Sequence, residues 1–324
     1  MLFDLAYILI GLAILIWSAD KLTEGSAALA KNFGIPSLII GLTIIAIGSS
    51  APEMVVSAVA AIGGSSNLAI GNAIGSNITN IALVLGVTAL ITPLLIHSDI
   101  LKREIPILIF LNIFASFLIW YHGFTRADGW ILVLTLGIYL TWLVITSLKK
   151  RKQDLLLTEI VDELPQDMSN SKAALWIILG LALLIFSSDL LVMGATNLAT
   201  RMGVSELVIG LTVVAVGTSL PELAASIASA IKKEHDMAIG NIIGSNIFNI
   251  LGVMGVAGII HPPTSIPAEV FYFHLPAMLI ITIALFFLSL DFGKGPRLAK
   301  SQAIILLSGF VAFNWLLVTQ IHTS

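Results

Sequence analysis

The sequence predicts an all-α polytopic membrane protein: about ten transmembrane helices, arranged as two inverted five-helix repeats with broken helices at the midplane. Three observations carry that expectation. Of the 324 residues, 57% are hydrophobic and 11% are charged, whereas a soluble domain carries about 25% charged residues. Apolar runs of about 20 residues recur along the whole length, as a hydrocarbon core about 30 Å thick demands of a helix. Finally, residues 46–80, AIGSSAPEMVVSAVAAIGGSSNLAIGNAIGSNITN, return as residues 215–249, AVGTSLPELAASIASAIKKEHDMAIGNIIGSNIFN, at an offset of 169 that holds without a gap from Asp20/Asp189 to Pro93/Pro262.

The spans expected in chain order are 5–30, 35–63, 67–94, 104–121, 128–148, 173–200, 204–231, 237–260, 268–290 and 301–320. Several exceed the minimum length, which calls for tilt. The first opens MLFDLAYILIGLAILIWSAD, without a basic leading region or a small-residue cleavage site, so it reads as a retained membrane helix and not a signal peptide. Five spans make a first repeat over residues 1–148 and five a second over 173–324. Between them, 149–172 (KKRKQDLLLTEIVDELPQDMSNSK) is a polar linker, with a short amphipathic turn expected at 154–164. Its acidic cluster reads as a solvated charge run.

Loop charge sets the orientation. With the N-terminus outside, the cytoplasmic connections hold thirteen cations, Lys31, Lys102, Arg103, Lys149, Lys150, Arg151, Lys152, Lys172, Lys232, Lys233, Lys294, Arg297 and Lys300. The outer connections hold two, Arg126 and Arg201. Positive charge stays on the cytoplasmic side, so both termini are expected to be extracytoplasmic. Five is odd, so the second repeat enters the membrane from the opposite face. Inversion of this kind serves alternating access, because equivalent motions open one site to either side.

Each repeat places a Pro-Glu pair inside an apolar run. Pro52 follows Gly48-Ser49-Ser50-Ala51 and Pro221 follows Gly217-Thr218-Ser219-Leu220. Proline removes a donor and clashes with the carbonyl four residues back, so both helices should break and free carbonyls that lipid cannot satisfy. Glu53 and Glu222 follow directly. Because the breaks fall mid-run, these are read as ion-handling carboxylates and not as helix-end acids at the interface. Ser49, Ser50, Thr218 and Ser219 stand three and four residues before them, on the same face if helical geometry resumes. Asn72, Ser76 and Asn80 repeat at i, i+4, i+8, and Asn241, Ser245 and Asn249 match them.

The convergent groups are all oxygen donors, a set suited to hard cations such as Ca²⁺, which takes about 6–8 oxygens. Two ionised carboxylates balance one divalent cation, and left empty they would repel and tend to protonate. The hydroxyls also read as helix–helix hydrogen-bonding groups. Asn72, Asn77, Asn241 and Asn246 read either as ligands or as braces of the broken helices. Gly71/Gly75 and Gly240/Gly244 read as close-packing GxxxG pairs. Asp20 and Asp189, nearer the span ends, read as interface anchors in preference to a direct role with the ions. The histidines (97, 122, 235, 261, 274 and 322) fall near span ends and cysteine is absent, which disfavours zinc, thiolate chemistry and disulfides. A net charge of −3 with no basic patch gives no argument for a nucleic-acid partner, and none is expected.

GSSAPE and GTSLPE, each followed about 20 residues on by GNxxGSN, resemble the two alpha-repeats of the cation/Ca²⁺ exchanger superfamily. Within it the chain is most similar to the ten-helix sodium/calcium exchangers of bacteria and archaea, over essentially its whole length. The resemblance implies Na⁺-driven Ca²⁺ antiport in the inner membrane of a prokaryote, with no prosthetic group and no required oligomer, and ions held among the second, third, seventh and eighth helices while the first and sixth slide. By matching position, the implied ligands are the backbone oxygen of Ala46 with Ser49, Ser50, Glu53, Ser76 and Asn80, and the backbone oxygen of Ala215 with Thr218, Ser219, Glu222, Ser245 and Asn249. In two places the chain departs from the family pattern: Asn249 stands where prokaryotic members can have Asp, and Ser49 where Thr is usual. The first leaves a two-acid site, so an H⁺/Ca²⁺ or other monovalent/divalent exchanger stays open beside the Na⁺/Ca²⁺ reading. A channel would build its filter by symmetry around a pore, and the internal inverted repeat favours a carrier. A serine hydrolase needs a base beside Ser50 or Ser219, and neither repeat supplies one in its core, so no enzymatic activity is expected.

Overall fold

A computed structural model of the chain describes residues 2–97, 99–154, 168–202, 215–290 and 295–323. The helices, numbered in order, are α1 Leu2–Phe33, α2 Ser37–Ser49, α3 Ala51–Ile62, α4 Ser66–Ile91, α5 Ile100–Tyr121, α6 Arg126–Asp154, α7 Asn170–Arg201, α8 Ala215–Thr218, α9 Leu220–Ile231, α10 His235–Ile260, α11 Val270–Leu288 and α12 Lys300–Thr323. Among the described residues, eight helices are long and apolar enough to cross a membrane, and α2 with α3, joined at a break, counts as a further candidate span. The remaining expected span, 204–231, is described only over α8 and α9. The chain is an all-α multi-pass membrane protein whose outward surface is apolar: Trp120 is 72% exposed and Ile138 71%, side chains that water would not tolerate in such number.

Two features depart from the sequence expectation. The span expected over 128–148 is matched by a candidate span over Arg126–Thr146, but its helix runs on into the expected linker, through Lys149–Lys152 to Asp154, since Lys, Arg and Gln are good helix formers. At the other end of the linker, helix resumes at Asn170. The turn expected at 154–164 lies, beyond Asp154, outside the described residues. A two-stranded antiparallel ladder also forms, pairing Leu94 with Leu298 and Leu95 with Arg297. Two residues per strand give no alternation to read from sequence.

Packing divides the chain into two compact units, and the division cuts across the sequence repeats. The first comprises Met1–Ser49 and Thr135–Gly244. Here α1 and α7 run antiparallel in close contact. A Cβ on Gly25 would lie 2.7 Å from the Ala173 carbonyl oxygen, and one on Gly194 would lie 2.7 Å from that of Asp4. Each pair is the other's image under the 169-residue offset, and the order is reversed along the helices, as inverted repeats require. Leu15, Leu22, Ile45 and Leu184 form the core of this unit, and Asn32 Nδ2 ties the end of α1 to Met168 O at 2.8 Å. Small residues also let α2 approach α10: a Cβ on Gly240 would come 2.7 Å from Leu38 O, and one on Gly244 2.6 Å from Leu42 O. This is the close packing expected of that GxxxG pair. Gly71 and Gly75 differ. Among the described residues no atom lies within 4 Å of a Cβ at either, so their expected packing role is not seen there. The segment corresponding to most of α2 lies in 203–214, outside the described residues.

The second unit comprises Ser50–Leu134 and Ser245–Ser324. It joins α3, α4, α5, the C-terminal half of α10, α11 and α12. Asn112 Nδ2 on α5 donates to Thr282 Oγ1 on α11 at 3.1 Å. Ser66 Oγ donates to the carbonyl of His261, fastening the start of α4 to the end of α10.

Candidate functional site

The helix breaks form where proline demands them. Pro52 and Pro221 sit at the start of α3 and α9, where a missing amide hydrogen costs nothing. The preceding serines take nearly the same bridge-region backbone, Ser50 at φ −83°, ψ 9° and Ser219 at φ −91°, ψ 4°. Their carbonyls then start the new helices, accepting from Met54 N at 3.2 Å and Leu223 N at 3.0 Å. The glutamates are thereby delivered on the first turn of a fresh helix, and both are fully buried.

A second device repeats behind each glutamate. Asn72 Nδ2 donates to Glu53 O at 3.3 Å and to Ser57 Oγ at 3.0 Å. Asn241 Nδ2 donates to Glu222 O at 3.2 Å and to Ser226 Oγ at 2.9 Å. The bracing reading of Asn72 and Asn241 is the one these bonds support. Each amide grips the backbone of the acid across a helix pair and fixes where the carboxylate stands. Ser57 and Ser226 went unremarked in the sequence, although both follow their glutamates by four residues at the same offset.

The first unit holds six of the sequence-derived residues. Ser49 Oγ donates to Asn241 Oδ1 at 3.1 Å and stands 3.4 Å from the Ala46 carbonyl oxygen. It thus connects the α2 break to the brace of Glu222. Ala215 opens α8 and Thr218 closes it. Ser219 is buried, and its hydroxyl has no hydrogen-bond partner among the described residues.

The second unit holds the other six: Ser50, Glu53, Ser76, Asn80, Ser245 and Asn249, all buried. Asn80 and Asn249 occupy matching places, each opening a π-helical stretch, Asn80–Leu85 and Asn249–Val253. A π turn redirects the carbonyl ladder and frequently marks a functional site. Asn80 Nδ2 donates to Asn246 Oδ1 at 3.1 Å, which leaves its own Oδ1 buried and without a partner among the described residues. Neither polar atom of the Asn249 amide has one either. Buried polar atoms left in this state are costly unless something binds them. Asn77 and Asn246, which the sequence left open, bond each other's backbone and so act as braces.

Asp20 also finds a partner, its carboxylate lying 2.7 Å from Lys232 Nζ.

A model of the family described as sodium/calcium exchanger protein matches residues 3–145 and again 172–319, one match on each repeat. The chain belongs to the sodium/calcium exchanger family. CaxA of Alkalimonas amylolytica is 46% identical over 317 residues, covering 98% of this chain and 99% of its own. The sodium/calcium exchanger MaX1 of Methanosarcina acetivorans is 29% identical over 344 residues, covering 94% and 96%. Among solved structures, the sodium-calcium exchanger NCX_Mj, in crystals soaked with zero Na⁺ and Ca²⁺, superposes with a TM-score of 0.82 at 32% identity, covering 96% of this chain and 98% of that one. Membership makes this chain a cation/Ca²⁺ antiporter of the membrane.

Proposed function

We propose that this exchanger couples Na⁺ to Ca²⁺ by alternating access. The cations are held by the Ala46 and Ala215 carbonyl oxygens, the hydroxyls of Ser49, Ser50, Ser76, Thr218, Ser219 and Ser245, the amides of Asn80 and Asn249, and the carboxylates of Glu53 and Glu222. The observation that carries this reading is the repeated device at each break: a buried glutamate, its backbone gripped by asparagine, with hydroxyls one turn away. Two carboxylates neutralise one Ca²⁺, and the same oxygens suit Na⁺ but cannot serve both complements at once, which is the basis of exchange. MaX1 and NCX_Mj, both named as sodium/calcium exchangers, support Na⁺ as the coupling ion. The thirteen-to-two distribution of loop cations supports external termini, and a relative described as inner membrane protein YrbG of Escherichia coli, 37% identical over 97% of this chain, supports a location in the inner membrane of a prokaryote.

The deciding experiment is radioactive Ca²⁺ uptake into Na⁺-loaded proteoliposomes diluted into Na⁺-free medium, with K⁺-loaded and pH-gradient controls. Uptake that requires the Na⁺ gradient is the expected result. Uptake driven by the pH gradient alone would replace Na⁺ by H⁺ as the coupling ion.

A further inference from the structure

The first compact unit carries a row of buried hydroxyls that ion binding does not use. Glu222, Ser226 and Ser229 stand at i, i+4 and i+7 of α9 and share one face. Ser229 Oγ lies 3.4 Å from Thr23 Oγ on α1. Ser26, one turn further along α1, is fully buried, and its hydroxyl has no partner among the described residues. Its neighbour Ala27 and, one turn on, Ala30 line a cavity of about 750 Å³, together with Glu24, Lys31, Lys232 and Glu234. The row therefore begins at the candidate ion-binding carboxylate and ends within one helical turn of a polar cavity.

The other repeat lacks this row. At the corresponding positions Ala60 replaces Ser229, Val192 replaces Thr23 and Ala195 replaces Ser26. Only Ser57 persists, as the counterpart of Ser226, and the asparagine brace accounts for both. Helix packing does not require the additional hydroxyls, since alanine and valine hold the equivalent places. Thr23 Oγ1 also donates to Ala19 O at 2.9 Å, but the Ser26 hydroxyl is buried without a partner among the described residues, which costs free energy, so the retention of Ser26 points to use. Lys232, which lines the cavity just beyond α9, pairs with Asp20 on α1 at 2.7 Å. Gly63 stands at the position corresponding to Lys232, so this link too belongs to one repeat.

We propose that the row formed by Ser226, Ser229, Thr23 and Ser26 is the path by which the transported cation passes between Glu222 and this cavity. The proposal rests on the cation-exchange reading above. A cation that sheds water needs oxygens in its place; the hydroxyls supply them in succession, and the alkyl groups of the other repeat do not. The row is fully buried, so the path is closed in this arrangement. It opens by separation of α1 from α9, the two elements that the Asp20–Lys232 pair links. On the orientation proposed above, the cavity faces the cytoplasm.

The chain contains no cysteine, so single thiols can be placed without background. Thr23→Cys and Ser229→Cys are compared with Ile227→Cys, whose side chain lines an apolar cavity between the same two helices, where a cationic reagent finds little polar surface to enter by. Each variant in proteoliposomes is treated with a membrane-impermeant cationic methanethiosulfonate, and modification is read from the mass of the intact protein. The expected result is modification of Thr23→Cys and Ser229→Cys about tenfold or more faster than of Ile227→Cys, with cation flux falling in step. Rates no faster than the Ile227→Cys control, or modification that leaves flux intact, would overturn the path. The mass readout does not depend on which cation is carried; if the unsubstituted protein moves no Ca²⁺, the Na⁺/Ca²⁺ reading fails while the modification rates still decide the path. The double variant Thr23→Val/Ser229→Ala, which copies Val192 and Ala60, should slow uptake about tenfold or more with calorimetric Ca²⁺ binding unchanged. Undiminished uptake by it would equally overturn the proposal.

Discussion

Asn77 and Asn246 are bound to each other's backbone: Asn77 Nδ2 donates to Asn246 O at 3.1 Å, and Asn246 Nδ2 donates to Asn77 O at 3.3 Å. The two residues are separated by the repeat offset of 169, so each is the other's counterpart, and the reciprocal bonds mark where the pseudo-two-fold relation of the repeats passes. They stand between the donors of the same two helices, Ser76 and Asn80 on α4 and Ser245 and Asn249 on α10. Fixing this one crossing therefore fixes four candidate ligands.

The first prediction concerns this crossing. Asn77→Ala or Asn246→Ala leaves a buried carbonyl without its donor, a loss of about 1–3 kcal/mol. Asn246→Ala should be the worse, because Asn246 Oδ1 also accepts from Asn80 Nδ2. The double variant should cost less than the sum of the two, as coupled neighbours do. Thermal unfolding in detergent of both single variants and the double variant measures this; additive losses would show that the two amides act independently.

The carboxylates make the second prediction. Glu53→Gln and Glu222→Gln keep shape and hydrogen-bonding capacity but remove one charge. A neutral amide cannot balance a divalent ion in a desolvated site, so either change should nearly abolish Ca²⁺ binding by calorimetry and Ca²⁺ uptake by vesicles. Folding should persist, because the asparagine brace grips the glutamate backbone and not its side chain. Full transport by either variant would remove that glutamate from the site.

Much of this was legible before any coordinates. The breaks at Pro52 and Pro221 follow from proline chemistry, and the Asn80/Asn249 and Glu53/Glu222 pairs from duplication alone. The brace was not. Whether Asn72 ligates an ion or grips Glu53 depends on a contact 19 residues away, and sequence spacing is silent on which side of a helix pair an amide points. The π turns at Asn80 and Asn249 were equally hidden, since apolar sequences such as NIALVL and NILGV suit an α-helix as well. Hydropathy places the end of the fifth span but not the end of its helix, which Lys149–Lys152 continue to Asp154.

Close helix approach gives a third prediction. Gly244→Ala places a methyl 2.6 Å from Leu42 O, a backbone atom that cannot yield without shifting α2. Overpacking of this kind costs about 1–3 kcal/mol. Gly137, in α6, meets nothing within 4 Å among the described residues, so Gly137→Ala should instead stabilise by about 0.5–1 kcal/mol through its helix propensity. Melting temperatures that move in opposite directions for the two variants are expected. A rise for Gly244→Ala would mean that α2 and α10 are not held at this distance.

Asn249 supplies the last. Its amide is buried with neither polar atom paired among the described residues, and with Glu53 and Glu222 it leaves the proposed donor set two charges, matched by one Ca²⁺. Asn249→Asp adds a third carboxylate of nearly the same shape. Ca²⁺ then leaves one negative charge uncompensated in a desolvated place, which favours taking up a proton or a Na⁺ beside it. The variant should therefore bind Ca²⁺ with a steeper dependence on pH than the unsubstituted protein, weaker in acid, where protons compete for the added carboxylate. Isothermal titration calorimetry at pH 6 and pH 8 in Na⁺-free buffer tests this. Parallel affinities for the two proteins at both pH values would place residue 249 outside the electrostatic reach of the bound cation, and would remove Asn249 from the ligand set while leaving Glu53 and Glu222 in it.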